Sequence, residues 1–170
     1  NNIVPIVEPE ILMDGHHTIH DSFITTEKTL AIVFDELRLQ NVLLEGIVLK
    51  PNMVLSGYNC DEQASVKKVA QLTVEVFKRT VPVSVPGIAF LSGGQSDELA
   101  TAHLNEMNKS FGSSCPWNLT YSYGRALQAP ALKAWGGDDK NIEIAQKAFY
   151  KRASLNSLAS KGEYNQGMED

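Results

Sequence analysis

Apolar residues recur along this chain with a period near two, then near 3.6, then near two again, four times over. Ile3 to Pro9 is a short apolar run and predicts a strand. From Thr25 to Arg38, Leu30, Val33, Phe34 and Leu37 share one helical face, with acids and lysine elsewhere. Val42 to Leu49 is mostly apolar, interrupted by Glu45, as expected of a strand covered on both faces. Ser65 is a plausible N-cap for a second helix, which turns Val66, Val69, Ala70, Val74 and Phe77 inward. Gly87 to Gly94 reads as a third strand, followed by a helix over Ser96–Lys109 with Asp97 and Glu98 in its first turn. Trp117 to Tyr123 is a fourth strand. A short helical piece over Ala126–Trp135, a Gly136-Gly137 break and a long amphipathic helix over Asn141–Leu158 complete the order. At the other end, Asn1 runs into the first strand with no methionine and no capping structure, as though the chain had been entered midway.

Four successive βα units imply a parallel sheet with right-handed crossovers, either doubly wound or part of an eight-stranded barrel. The strand ends favour the barrel. Glu8 and Glu10 close the first strand, Lys50 the second, Ser92-Gly93-Gly94 the third and Ser122-Tyr123-Gly124-Arg125 the fourth. Reactive side chains at the C-terminal ends of several strands are how a (β/α)8 barrel builds its active site. Such a barrel takes about 250 residues, so 170 residues with four units make half of one.

Composition narrows the field of functions. A net charge of −5 provides no basic stripe, which argues against nucleic acid as a partner. No stretch reads as a membrane span or signal peptide. Cys60 and Cys115 sit far apart in unrelated contexts and read as reduced cysteines of a cytosolic protein.

Lys50 is the centre of the candidate chemistry. Pro51 has no N–H for a ladder and holds the preceding residue extended, so Lys50 should stand at the strand's C-terminal edge, sharing a face with Val48, Gly46 and Leu44. An ammonium flanked by apolar residues is poorly solvated, which favours the free amine that attacks carbonyls; a strand-end lysine can equally snorkel to water. Glu8 and Glu10 alternate around Pro9, so both should point toward Lys50, and a carboxyl beside an amine shuttles the protons of imine formation. Leu91-Ser92-Gly93-Gly94 leaves backbone N–H groups uncovered just before a helix N-terminus, a ready anion site. Gly124 exposes another amide and Arg125 adds a bidentate cation. In barrels the last two strands frequently form a phosphate site. His16 and His20 have the i, i+4 spacing of zinc ligands, with His17 between them, but DGHHTIHD offers no matching carboxylate partner and reads as a polar loop.

IVPIVEPEIL, LLEGIVLKPNMV, FLSGGQS, SYGRALQ and LKAWGG, in this order and spacing, make nearly the whole chain similar to class I fructose-bisphosphate aldolase. The resemblance is to the C-terminal half of that enzyme, strands 5 to 8 of a TIM (β/α)8 barrel. It implies that residues 1–170 are half of a single barrel domain whose N-terminal half is absent from this chain. By the same resemblance Lys50 forms a Schiff base, Glu8 is the acid/base of carbinolamine chemistry and Glu10 hydrogen-bonds around the lysine. Ser92, Gly93, Gly94, Ser122, Gly124 and Arg125 then hold the phosphate of the dihydroxyacetone phosphate end.

The implied activity is a glycolytic and gluconeogenic lyase, reversibly cleaving fructose 1,6-bisphosphate to dihydroxyacetone phosphate and glyceraldehyde 3-phosphate. No cofactor and no metal are implied, because the iminium is the electrophile. The implied setting is a cytoplasmic homotetramer without membrane insertion, whose partners are the sugar-phosphate substrate and the missing N-terminal half, with cytoskeletal or adhesin-tail binding as a further role. A pure binding module has no need for Lys50, Glu8 and Arg125 together at strand ends. Another sugar-phosphate Schiff-base aldolase would not predict LKAWGG. The chain departs from the family at Ile47-Val48, where a small residue and leucine are usual. The family's base for carbon–carbon cleavage and its lysines for the second phosphate belong to the N-terminal half. Its mobile tail has no counterpart after Asp170, and Tyr164 aligns with the start of that tail.

Overall fold

The computed structural model describes residues 3–170; Asn1 and Asn2 lie outside the described residues. Four parallel strands, β1 (Ile6–Val7), β2 (Val48–Leu49), β3 (Gly87–Phe90) and β4 (Asn118–Tyr121), pair in sequence order. The helices α1 (Ile19–Leu39), α2 (Val66–Thr80), α3 (Asp97–Phe111), α4 (Arg125–Trp135) and α5 (Ile142–Ala159) follow in between and after. α1 packs on α2, α2 on α3, and α5 on both α3 and α4, so the helices form one continuous layer. A doubly wound sheet reverses strand order at a switch point. A sheet in strict sequence order with a single helix layer is instead an arc of a (β/α)8 barrel, its C-terminal half.

The core lies between strands and helices. Leu49 pairs with Ile88, which pairs with Leu119, so the three share a face, and all are buried. Phe34, Phe77, Leu104 and Met107 join them in the core, with Phe77 and Phe90 stacked at 5.7 Å between ring centroids. Burying a side chain of this size stabilises by about 1.5–3 kcal/mol. The other face carries Ile6 and Val48, next to each other in the ladder; Ile6 is 58% exposed and Val48 is half-buried.

Three expected elements differ, each for a local reason. α1 begins at Ile19 rather than Thr25, because Thr18 and Asp21 form a reciprocal capping box: the Asp21 amide donates to the Thr18 hydroxyl at 3.2 Å and the Thr18 amide to the Asp21 carboxylate at 2.9 Å. The expected strand over Val42–Leu49 shrinks to Val48–Leu49. Asn41 takes a left-handed φ of 56°, its amide donates to the Arg38 carbonyl, and the Val42 amide donates to Leu37 at 2.9 Å. That is a Schellman stop, which commits Asn41 and Val42 to ending α1. Leu44–Gly46 then forms a 3-10 turn, so Leu44 and Gly46 do not share a strand face with Lys50. The first strand likewise keeps only Ile6–Val7, between Pro5 and Pro9, neither of which can donate to a ladder.

Candidate functional site

The β1–β2 register places Val7 beside Leu49, which puts Glu8 beside Lys50 on the open face. The Lys50 amide donates to the Val7 carbonyl at 2.7 Å, and its Nζ lies 2.9 Å from the Glu8 Oε1. The Lys50 side chain is 20% exposed and that of Glu8 47%. The ammonium thus faces a carboxylate at the mouth of the sheet rather than the apolar flank its neighbours suggested. Glu10 lines the same cavity without a bond to Lys50, so of the two glutamates Glu8 alone meets the lysine. Asn52 is buried, and its Oδ1 accepts from the Ile11 amide at 2.9 Å, tying the loop that carries both glutamates to the loop that carries Lys50.

The opposite wall is built from the ends of β3 and β4. Ser92 to Gln95 is a tight turn: the Gln95 amide donates to the Ser92 carbonyl at 3.1 Å, and Gly93 and Gly94 take φ of 56° and 81°. Two left-handed central residues make it a type I′ turn, which glycine occupies without strain. A side chain at 94 would also run into the Tyr58 phenol and come 3.6 Å from the Arg125 Nη2. The α3 N-terminus behind the turn is not the open anion site expected, because the Ser96 hydroxyl caps it by accepting from the Leu99 amide at 3.1 Å. The open helix end is that of α4. It starts at Arg125 with Gly124 as N-cap and no side-chain cap, and the exposed Arg125 guanidinium forms no ion pair among the described residues.

These walls enclose a cavity of about 240 Å³. Glu8, Glu10, Lys50, Ser92, Gly93, Ser122, Gly124 and Arg125 all line it, together with Leu91. An amine paired with a carboxylate on one side faces unpaired amides and a guanidinium on the other. Such a site can take a carbonyl at one end and a phosphate at the other.

Comparisons with known proteins identify the family of the chain. The family profile described as "Glycolytic: Fructose-bisphosphate aldolase class-I" matches residues 1–170. The chain belongs to the class I fructose-bisphosphate aldolase family. It is 54% identical to fructose-bisphosphate aldolase B of Sparus aurata over 164 residues, which covers 96% of this chain and 45% of that protein. It is 50% identical to the fructose-bisphosphate aldolase of Dictyostelium discoideum with the same coverage. The fructose-bisphosphate aldolase of Plasmodium falciparum, solved in complex with TRAP and a small-molecule inhibitor, superposes with a TM-score of 0.95 at 49% identity. That match covers 98% of this chain and 48% of the other. The chain therefore spans about half the length of the aldolases it matches.

The remaining sequence candidates do not line this cavity. His16 and His17 lie in the loop before α1 and His20 in its first turn, so the i, i+4 helical spacing of His16 and His20 is not realised. Among the described residues no three His, Cys, Asp or Glu side chains converge as a metal site. Cys60 and Cys115 are free thiols, each half-buried. Among the described residues no helix is long and apolar enough to cross a membrane. Tyr164 is buried by α3, where its amide donates to the Asn105 Oδ1 and its phenol to Glu169; burial and that carboxylate push the phenol's pKa up.

Two residues of the site were not singled out from sequence. Asn52 directly follows Lys50-Pro51, and the signal was a carboxamide beside a proline, which marks a turn with backbone contacts to satisfy. Tyr58 donates its phenol to the Gly93 carbonyl. Burial raises its pKa, as do the carboxylates of Asp14 and Glu10, while the Arg125 charge lowers it. Nothing local marks it, because the contact joins residues 35 apart.

Proposed function

We propose that the full-length protein carrying this chain cleaves fructose 1,6-bisphosphate reversibly to dihydroxyacetone phosphate and glyceraldehyde 3-phosphate through a Schiff base on Lys50. The carrying observation is the Lys50–Glu8 pair at 2.9 Å, opening into one cavity with the unpaired Arg125. Lys50 passes a proton to Glu8 and attacks the ketone as the free amine. Glu8 returns a proton as water leaves the carbinolamine. The protonated imine accepts the electron pair of the bond between carbons three and four while the carbon-four hydroxyl gives its proton to a base of the N-terminal half, releasing the aldehyde and leaving an enamine. A proton returned to carbon three restores the imine, whose hydrolysis frees dihydroxyacetone phosphate and the amine. Arg125 with the Gly93 and Gly94 amides holds the phosphate, so binding remote from the reacting carbons positions the carbonyl over the amine.

Residues 1–170 supply half of a single domain in this reading, and the N-terminal half completes the barrel. Four strands cannot close a barrel, which leaves two sheet edges unpaired. The half-barrel alone is therefore expected to be inactive. The assembly is a cytoplasmic homotetramer serving glycolysis and gluconeogenesis. A binding role toward cytoskeletal or adhesin-tail partners draws support from the Plasmodium falciparum relative, solved with TRAP.

Borohydride added to the full-length protein with dihydroxyacetone phosphate tests the mechanism. A stable adduct is expected on the peptide containing Leu49, Lys50 and Pro51 and on no other lysine of the chain. Lys50→Arg should abolish it, because guanidinium stays protonated. Lys50→Met should abolish it while leaving the fold intact. An adduct elsewhere, or cleavage that survives Lys50→Met and stops with a chelator, would overturn the reading.

A further inference from the structure

The glycine turn of the phosphate wall is held from behind by one buried carboxamide. Gln95 is 9% exposed, and its Nε2 donates to the Ser92 carbonyl at 2.9 Å, the same oxygen that accepts the Gln95 amide. The same Nε2 lies 3.6 Å from the Met53 Sδ, so Gln95 also touches the loop after Lys50. Its Oε1 lies 2.7 Å from the Nδ1 of His103, on α3 and 1% exposed.

This geometry fixes the imidazole's tautomer. Were the carboxamide reversed, its oxygen would face the Ser92 carbonyl, two acceptors with no proton between them. The amide must point its nitrogen at Ser92 and its oxygen at His103, so the ring carries its proton on Nδ1. Nε2 is then a bare acceptor, buried with no partner among the described residues. A leucine or methionine would fill this core position without an unsatisfied nitrogen. What the ring adds is a single N–H directed at Gln95.

We propose that His103 is a positioning residue for the phosphate wall, its Nδ1–H locking the Gln95 carboxamide so that Gln95 pins the Ser92 carbonyl and keeps the Gly93-Gly94 turn preorganised for a phosphate. The proposal rests on the aldolase reading of this site. His103 touches no substrate; without its N–H the Gln95 Oε1 is left buried and unpaired, the carboxamide is no longer fixed in this orientation, and the side-chain bond that anchors the turn weakens.

The test uses borohydride trapping in the full-length protein, titrated with dihydroxyacetone phosphate and separately with dihydroxyacetone. If the unmodified protein traps neither, the aldolase reading falls. If it traps both, His103 is tested on its own. His103→Leu should raise the half-saturating concentration of dihydroxyacetone phosphate about tenfold, the scale of one lost hydrogen bond at a preorganised turn. The value for dihydroxyacetone should not change. In His103→Asn the Nδ2 falls where the Nδ1 was, at the same number of bonds from the backbone, and should restore most of the affinity. Gln95→Met should reproduce the His103→Leu effect, and the double variant should be no worse than Gln95→Met alone. Should His103→Leu fail to fold, Gln95→Met and His103→Asn read the same link. Unchanged phosphate-ligand affinity, an equal rise for both ligands, or no rescue by asparagine would overturn the proposal.

Discussion

The two ends of the cavity store different things. At the lysine end the ammonium is already matched: Lys50 bonds Glu8, and Asn52 holds the glutamate loop by the Ile11 amide. At the phosphate end the cation is unmatched: Arg125 has no carboxylate partner among the described residues, α4 has no side-chain cap, and Tyr58 occupies a carbonyl of the turn rather than a glycine amide. An exposed guanidinium can stay unpaired at little cost because water solvates it, whereas a partly buried ammonium cannot. On the proposed reading, the contrast separates chemistry from binding: a proton couple is in place before substrate arrives, and a phosphate supplies the countercharge of its own site.

Three measurements would break or sharpen that contrast. Glu8→Gln removes the matched carboxylate and keeps the shape, so formation and hydrolysis of the imine should both slow by about 10²- to 10⁴-fold, read by rapid-quench trapping. A loss confined to the affinity for phosphate would mean that the two ends are not separate. The phosphate wall should also carry an acid sensitivity of its own. Burial lowers the His103 pKa from 6.5 to about 4, so the unfolded chain binds this proton first as pH falls. Stability from this group is therefore undiminished above pH 6.5 and declines as pH drops toward about 4, by roughly 3 kcal/mol in all. Urea unfolding at pH 7.5 and pH 4 should show that much less decline in His103→Asn than in the unmodified protein. Equal declines would remove His103 from the account. Arg125→Ala should weaken dihydroxyacetone phosphate and fructose 1,6-bisphosphate by about 2 kcal/mol, the scale of a charge-assisted contact. Glyceraldehyde 3-phosphate should be much less affected. Calorimetric titration with the two triose phosphates checks this, and equal losses would place Arg125 at the wrong end of the substrate.

Most of the fold was legible because its signals are local. The period of Leu30, Phe34 and Leu37 marks a helix wherever it occurs, and Ser65 and Ser96 cap α2 and α3 by accepting from amides three residues on. The early start of α1 was legible too, in Thr18 and Asp21, but three histidines in the same stretch suggested a loop. The apolar run before Lys50 misled for a different reason: Val42 and Leu44 pack half-buried on the core from the end of α1 and a 3-10 turn, and composition does not distinguish that from a covered strand.

The strand-end residues and the motif order were enough to assign this chain a half-barrel and to nominate a lysine, two glutamates and a phosphate wall that the fold brings to one cavity, because each is written within a dozen residues. Which glutamate meets the lysine was decided by the β1–β2 register, a relation between segments some 40 residues apart. The Tyr58 contact with Gly93 and the open end of α4 opposite Lys50 were decided the same way, by packing of units that the chain order alone does not bring together. Turns and caps follow from neighbouring residues, whereas side-chain partners across strands follow from the sum of all the packing, which only the folded molecule evaluates.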